Sequence, residues 1–121
     1  MILQHATRDG KASVASAEQE AGRLPAVTLD DVRLHRKQIM AIARRFGVRN
    51  VRVFGSVARG EATGSSDLDL LIDVEPGHGY FDMTAFALAV EDLLGVFTQV
   101  TTESGLKLRI RDGILAEAVP V

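Results

Sequence analysis

The eight residues DLDLLIDV, Asp67 to Val74, constrain the fold more than any other stretch of the chain. Side chains alternate along a strand, so Leu68, Leu70, Ile72 and Val74 share one side and Asp67, Asp69, Leu71 and Asp73 the other. Such a strand is stable only if its apolar side is covered by another layer while its acidic side faces water or a ligand. The segment TLDDVRLHRKQIMAIARRFG supplies a cover. Thr28 can cap its first turn, Asp31 completes a capping box, and Gly47 ends the helix. Val32, Ile39, Ile42, Ala43 and Phe46 recur at three- and four-residue steps and form one apolar stripe, with most of the arginines off it.

The rest of the chain repeats this alternation of elements. VRNVRVFGS reads as a strand, in which Val51 and Val53 flank Arg52, and ARGEATGSS as a turn-rich loop. After the loop EPGHGY, FDMTAFALAVEDLLG reads as a helix stopped by Gly95 and VFTQVTT as a third strand. GLKLRIRDGILAEAV reads as a terminal helix weakened by Gly113. The expected fold is α/β, of the α+β kind, with helices packed on a short mixed sheet. Residues 1–26 carry few large aliphatics and read as a flexible tail, with a weak helix over Ala12 to Ala21; residues 27–121 form the single domain.

Composition narrows the function classes. Lys and Arg total 14 against 16 Asp and Glu, so no overall field holds a polyanion, and any nucleic-acid role must be local. The absence of cysteine excludes disulfides and thiolate metal sites. No apolar run approaches the roughly 20 residues that span a bilayer, and MILQHATRDG turns polar too early for a signal peptide. These features predict a soluble cytoplasmic protein with no membrane partner.

Asp67 and Asp69 lie roughly 6.5 Å apart on one strand face. Two such carboxylates repel unless a cation joins them, and Mg²⁺ typically takes one or two carboxylates together with substrate phosphates. Gly55 allows close backbone approach to a ligand, and Ser56 offers a hydroxyl and an N–H, so this turn could hold phosphate oxygens beside the metal. Each feature alone also has a plain reading: Gly55-Ser56 as a tight turn that caps a short helix, and Asp-x-Asp as solvated surface.

The run FGSVARG…SDLDLLIDV, with ten residues between Gly55-Ser56 and Asp67-x-Asp69, resembles the motif of the minimal nucleotidyltransferases, the smallest members of the polymerase-beta-like superfamily. The resemblance extends from about Leu29 to Val121 through RRFGV, the start Tyr80-Phe81-Asp82, LLG and ILAEAV. It implies a small polymerase-beta-like fold, with Gly55, Ser56 and Arg59 at the nucleotide and Asp67 and Asp69 as catalytic ligands of Mg²⁺. It further implies an antitoxin that transfers AMP from ATP to a HEPN-type ribonuclease toxin. One departure stands out: Thr98 is expected where the family carries a third carboxylate, which would weaken activation of the attacking hydroxyl. Asp73 and Glu103 are the possible substitutes, Asp73 lying roughly 13 Å along the strand from Asp69. The alternative reading is therefore an impaired nucleotidyltransferase fold that neutralises a toxin by binding alone.

Arg44, Arg45, Arg49 and Arg52 form a basic flank suited either to a nucleotide, RNA or acidic partner, or simply to water. His5, His35 and His78 lack ligand spacing, and Tyr80 and Phe81 read as packing residues. Phe86, Leu88, Val90, Leu93 and Leu94 cover an arc wider than one sheet face needs, which points to a homo- or hetero-oligomeric contact.

Overall fold

The computed structural model describes residues 26–121. The expected tail, with its weak helix, lies outside the described residues except for Ala26. Helix α1 (Leu29–Leu34) begins with the predicted capping box: the Asp31 N–H donates to Thr28 Oγ1 at 3.0 Å, and the Thr28 N–H donates to Asp31 Oδ2 at 2.9 Å. The sequence predicts one helix up to Gly47, but the structure breaks it at His35, whose φ and ψ are −99° and 17°. The cause is local competition. His35 Nδ1 donates to the Asp31 carbonyl at 2.9 Å, occupying the acceptor that its own backbone N–H would use, and that N–H turns to Val32 instead. Helix α2 (Arg36–Arg45) then runs on to Gly47, whose φ of +70° and close contact with the His78 ring leave no space for a Cβ.

Strand β1 (Val48–Phe54) leads through the short helix α3 (Gly55–Arg59) and a loop to β2 (Leu68–Val74). Helix α4 (Tyr80–Leu94), strand β3 (Thr98–Thr101), a 3₁₀ turn (Glu103–Gly105), helix α5 (Leu108–Glu117) and strand β4 (Val119–Pro120) complete the chain. The sheet order is β3-β2-β1-β4; β1 is antiparallel to both β2 and β4, and β2 is parallel to β3. Strand β4 replaces the expected end of the last helix. Pro120 disfavours helical backbone at Val119, so the chain extends and pairs with Arg52 and Val53 at the sheet edge, where a proline is tolerated.

Helices α1, α2 and α4 cover one face of the sheet. Val32, Ile39 and Ala43 meet Val51, Val53, Leu68, Leu70, Ile72, Phe86 and Val90 in a core closed to solvent. The wide apolar arc of α4 is mostly spent here: Phe86 and Val90 are buried, Leu93 and Leu94 pack against the core, and Leu88 is exposed; Tyr80 and Phe81, expected to pack, are instead exposed at the start of the helix. Leu71 lies on the acidic face yet is fully buried, between Arg52 and Thr101 in the register and beneath the 3₁₀ turn. Among the described residues, no helix is long and apolar enough to cross a membrane.

A bulge in β1 sets which side chains reach the open face. Val48 and Val51 are both core residues although they are separated by an odd number of steps, and the pairing shifts between Arg49 and Arg52 to allow this. Asn50 takes the left-handed conformation that the bulge requires, with φ 53°, and its side chain donates to Asp73 Oδ2 at 3.1 Å. A β-branched residue in this conformation is strained. Asn50→Val should therefore cost about 2 kcal/mol in urea unfolding, and Asn50→Gly less than about 1 kcal/mol.

Candidate active site

Gly55 joins β1 to α3 with φ +75°, and a Cβ built there would run into Oδ2 of Asp69. The turn and the acidic strand therefore converge. The cause is the β1–β2 register, which sets Phe54 opposite Asp69 and delivers the next residue, Gly55, against that carboxylate. Helix α3 is closed by the Glu61 N–H donating back to the Ser56 carbonyl at 2.9 Å, and this holds Ser56 and Arg59 on one compact turn.

Asp67 and Asp69 share the uncovered face. The pKa of Asp69 is raised from 3.8 to about 6, first by burial, then by the charges of Asp67 and Glu117, with Arg59 opposing. A carboxylate held at that cost gains stability from any cation placed beside it. Among the described residues, no group of three or more His, Asp or Glu side chains is arranged to hold a metal. Two carboxylates next to a glycine turn nevertheless fit a divalent ion that draws its other ligands from phosphate and water. Asp67 and Asp69 are the residues that would hold it.

The structure corrects the expectation for Thr98. Paired residues share a sheet face, and Thr98 lies opposite the core residue Leu68. Thr98 is closed to solvent; its hydroxyl donates to the Val96 carbonyl at 2.9 Å, and its N–H donates to Glu91 Oε1 at 3.1 Å. The neighbour of Asp69 on β3 is Gln99, whose Nε2 donates to Asp67 Oδ2 at 2.9 Å. The uncharged group beside the acidic pair is thus the amide of Gln99. Neither possible substitute joins the pair. Arg52 binds Asp73 at 3.0 Å and Glu103 at 3.1 Å, which engages both carboxylates farther along β2.

Sequence reading missed Glu117. It is the last residue of α5, and its Oε2 accepts the Gly55 N–H at 2.7 Å while its Oε1 accepts Arg59 Nη1 at 3.0 Å. Arg59 Nε also donates to Glu61 at 2.9 Å. No periodicity could have marked a contact between residues this far apart in the chain. Of the basic flank, Arg49 pairs with Glu75, Arg52 is held as above, and Arg45 lies over the Phe46 ring at 5.5 Å. His78 pairs with Asp82 at 3.3 Å, away from the acidic pair in the fold.

The profile of the nucleotidyltransferase domain family matches residues 35–119. This chain belongs to that family. It is 38% identical over 87 residues to the protein adenylyltransferase MntA of Thermococcus cleftensis, an alignment that covers 72% of this chain and 85% of that protein. A Methanocaldococcus jannaschii protein provisionally assigned as a protein adenylyltransferase is 33% identical, over 71% of this chain and 92% of its own length. A solved structure of a provisionally assigned minimal nucleotidyltransferase superposes with a TM-score of 0.70 and 44% identity, covering 78% of this chain and 97% of that one. A toxin-antitoxin structure solved with AMP-PNP superposes at 0.58 with 13% identity, over 69% of each chain, a likeness of fold. The fold is therefore that of a minimal nucleotidyltransferase.

Two outcomes follow for variants of the site. Thr98→Asp places a charge in the core and should lose roughly 3–5 kcal/mol, whereas the exposed Gln99→Asp should lose no more than about 1 kcal/mol; denaturant unfolding of both distinguishes the two faces of β3. For Asp69, the raised folded-state pKa means that stability falls as pH rises from about 4 to about 6 and stays lowered above that. The full displacement corresponds to at most about 3 kcal/mol, reduced by solvent screening to roughly 1 kcal/mol. Asp69→Asn should therefore be more stable than the native chain near pH 7.5 and indistinguishable from it below about pH 4.

Proposed function

We propose that this chain is a Mg²⁺-dependent protein adenylyltransferase, a cytoplasmic antitoxin that transfers AMP from ATP to a hydroxyl of a HEPN-type ribonuclease toxin. The observation that carries this reading is the Asp69 carboxylate seated against the Gly55 turn. In this reading the turn would hold phosphate and the acidic pair a cation, both within reach of one ligand. The adenylyltransferase names of its relatives support the reaction class, and the fold shared with a toxin-antitoxin structure that contains AMP-PNP supports the setting.

In this reading Gly55, Ser56 and Arg59 orient the triphosphate, and Asp67 and Asp69 are the ligands of Mg²⁺. The ion supplies neutralisation of phosphate charge when bound. The acceptor hydroxyl oxygen forms a bond to the α-phosphorus, the bond from that phosphorus to the bridging oxygen breaks, and pyrophosphate leaves. The hydroxyl proton passes to one of the paired carboxylates or to water. Gln99 cannot take it, because an amide has no basic site at neutral pH.

The same amide favours a second reading, in which the fold neutralises its toxin by binding alone. A positioned general base contributes about 10²–10⁴-fold, so its absence slows transfer severely. The deciding experiment incubates the chain with a purified HEPN-type ribonuclease, Mg²⁺ and ATP labelled in its α-phosphate. Adenylyl transfer predicts labelled toxin, loss of label in Asp69→Ala, and at least about 10-fold faster labelling by Gln99→Asp. Unlabelled toxin that is still neutralised by Asp69→Ala establishes the binding reading instead.

A further inference from the structure

We infer that the Glu117 carboxylate is an internal competitor for the polyphosphate seat, occupying the donors of Gly55 and Arg59 until a nucleotide displaces it. The inference rests on the proposed nucleotide site and concerns what sets its affinity. An incoming phosphate would use the backbone N–H of Gly55 and the guanidinium of Arg59, and one carboxylate already takes both, at 2.7 and 3.0 Å. Its second contact to Arg59, from Oε2 at 3.3 Å, fixes the group across the seat. The Glu117 side chain is 25% exposed, against 66% for Glu61, so Glu117 is the enclosed partner of Arg59 and Glu61 the outer one.

Helix geometry does not account for this placement. Glu117 ends α5, where the carbonyl end of the helix dipole disfavours negative charge, so the residue is held by the seat rather than by its helix. Its charge also reaches Asp69, where it opposes ionisation alongside Asp67. With Glu117 in place, the seat presents a satisfied N–H and an arginine neutralised by two carboxylates. A small oxyanion that brings no cation for Asp67 and Asp69 gains little by entering. A triphosphate brings several charges and a cation for Asp67 and Asp69, and it can replace the carboxylate through a side-chain rotation that leaves α5 docked. Glu117 thereby acts as a specificity-determining residue, favouring metal-bound triphosphate over inorganic phosphate.

Calorimetric titration of the full chain with ATP and Mg²⁺, with inorganic phosphate and with adenosine tests this. Glu117→Ala and Glu117→Gln should bind MgATP at least 10-fold more tightly than the native chain. Both should also bind inorganic phosphate measurably, and adenosine affinity should stay unchanged. The Gly55 amide resonance should move on MgATP addition to the native chain, reporting exchange of one acceptor for another. Glu117→Gln keeps an acceptor for the Gly55 N–H, and it serves if Glu117→Ala fails to fold. MgATP binding that is equal or weaker in a folded Glu117→Gln overturns the inference while leaving the nucleotide site intact. Absence of MgATP binding in the native chain and in both variants removes the site and the inference together.

Discussion

A carboxylate pressed against a glycine with no room for a Cβ is the contact on which the rest of this structure depends. It requires β1 and β2 to pair in one register, since sliding either strand by a single residue would turn Asp69 into the core and Leu70 out of it. It also requires a left-handed backbone where β1 becomes α3, which glycine adopts without strain. The arrangement keeps a partly buried negative charge beside two others, and the raised pKa of Asp69 records the resulting tension. Binding sites commonly carry such tension, because the ligand that relieves it gains affinity in doing so.

The two faces of the sheet divide the work. Three helices close one face around Leu68, Leu70 and Ile72, and that packing fixes the strands on which the acids stand. The opposite face has no comparable cover. There Arg52, between Asp73 and Glu103, shields Leu71 and closes one end of the strand, whereas at the other end Asp67 and Asp69 form no ion pair among the described residues and only the charge of Arg59 reaches Asp69. The bulge at Asn50 makes this division work, because it lets Val48 and Val51 both enter the core while Arg52 stays outside.

Much of this was legible in the chain itself. The period-two alternation from Asp67 to Val74 predicts the strand and its faces, and the capping box at Thr28 and Asp31 is present as read. The proximity of the Gly55 turn to the acidic pair was expected from motif spacing and is realised by strand pairing. The departures have specific causes. A histidine side chain competing for a helical carbonyl splits the first helix, and a proline converts the end of the last helix into an edge strand. Thr98 was expected beside the acids, but β-strand faces alternate residue by residue. A shift of one position along β3 therefore exchanges a core threonine for a surface glutamine.

The sequence by itself determined the types of the longer elements, the apolar and acidic sides of β2 and the family, because each is encoded by neighbours in the chain or by fixed motif spacing. Only the tertiary structure decided that Gln99 rather than Thr98 faces the pair, that Arg52 engages Asp73 and Glu103, and that Glu117 sits on Gly55 and Arg59. These contacts join residues far apart in the chain. They depend on the register between strands and the docking of α5, which are set by the packing of the whole core and leave no periodic trace in any one segment.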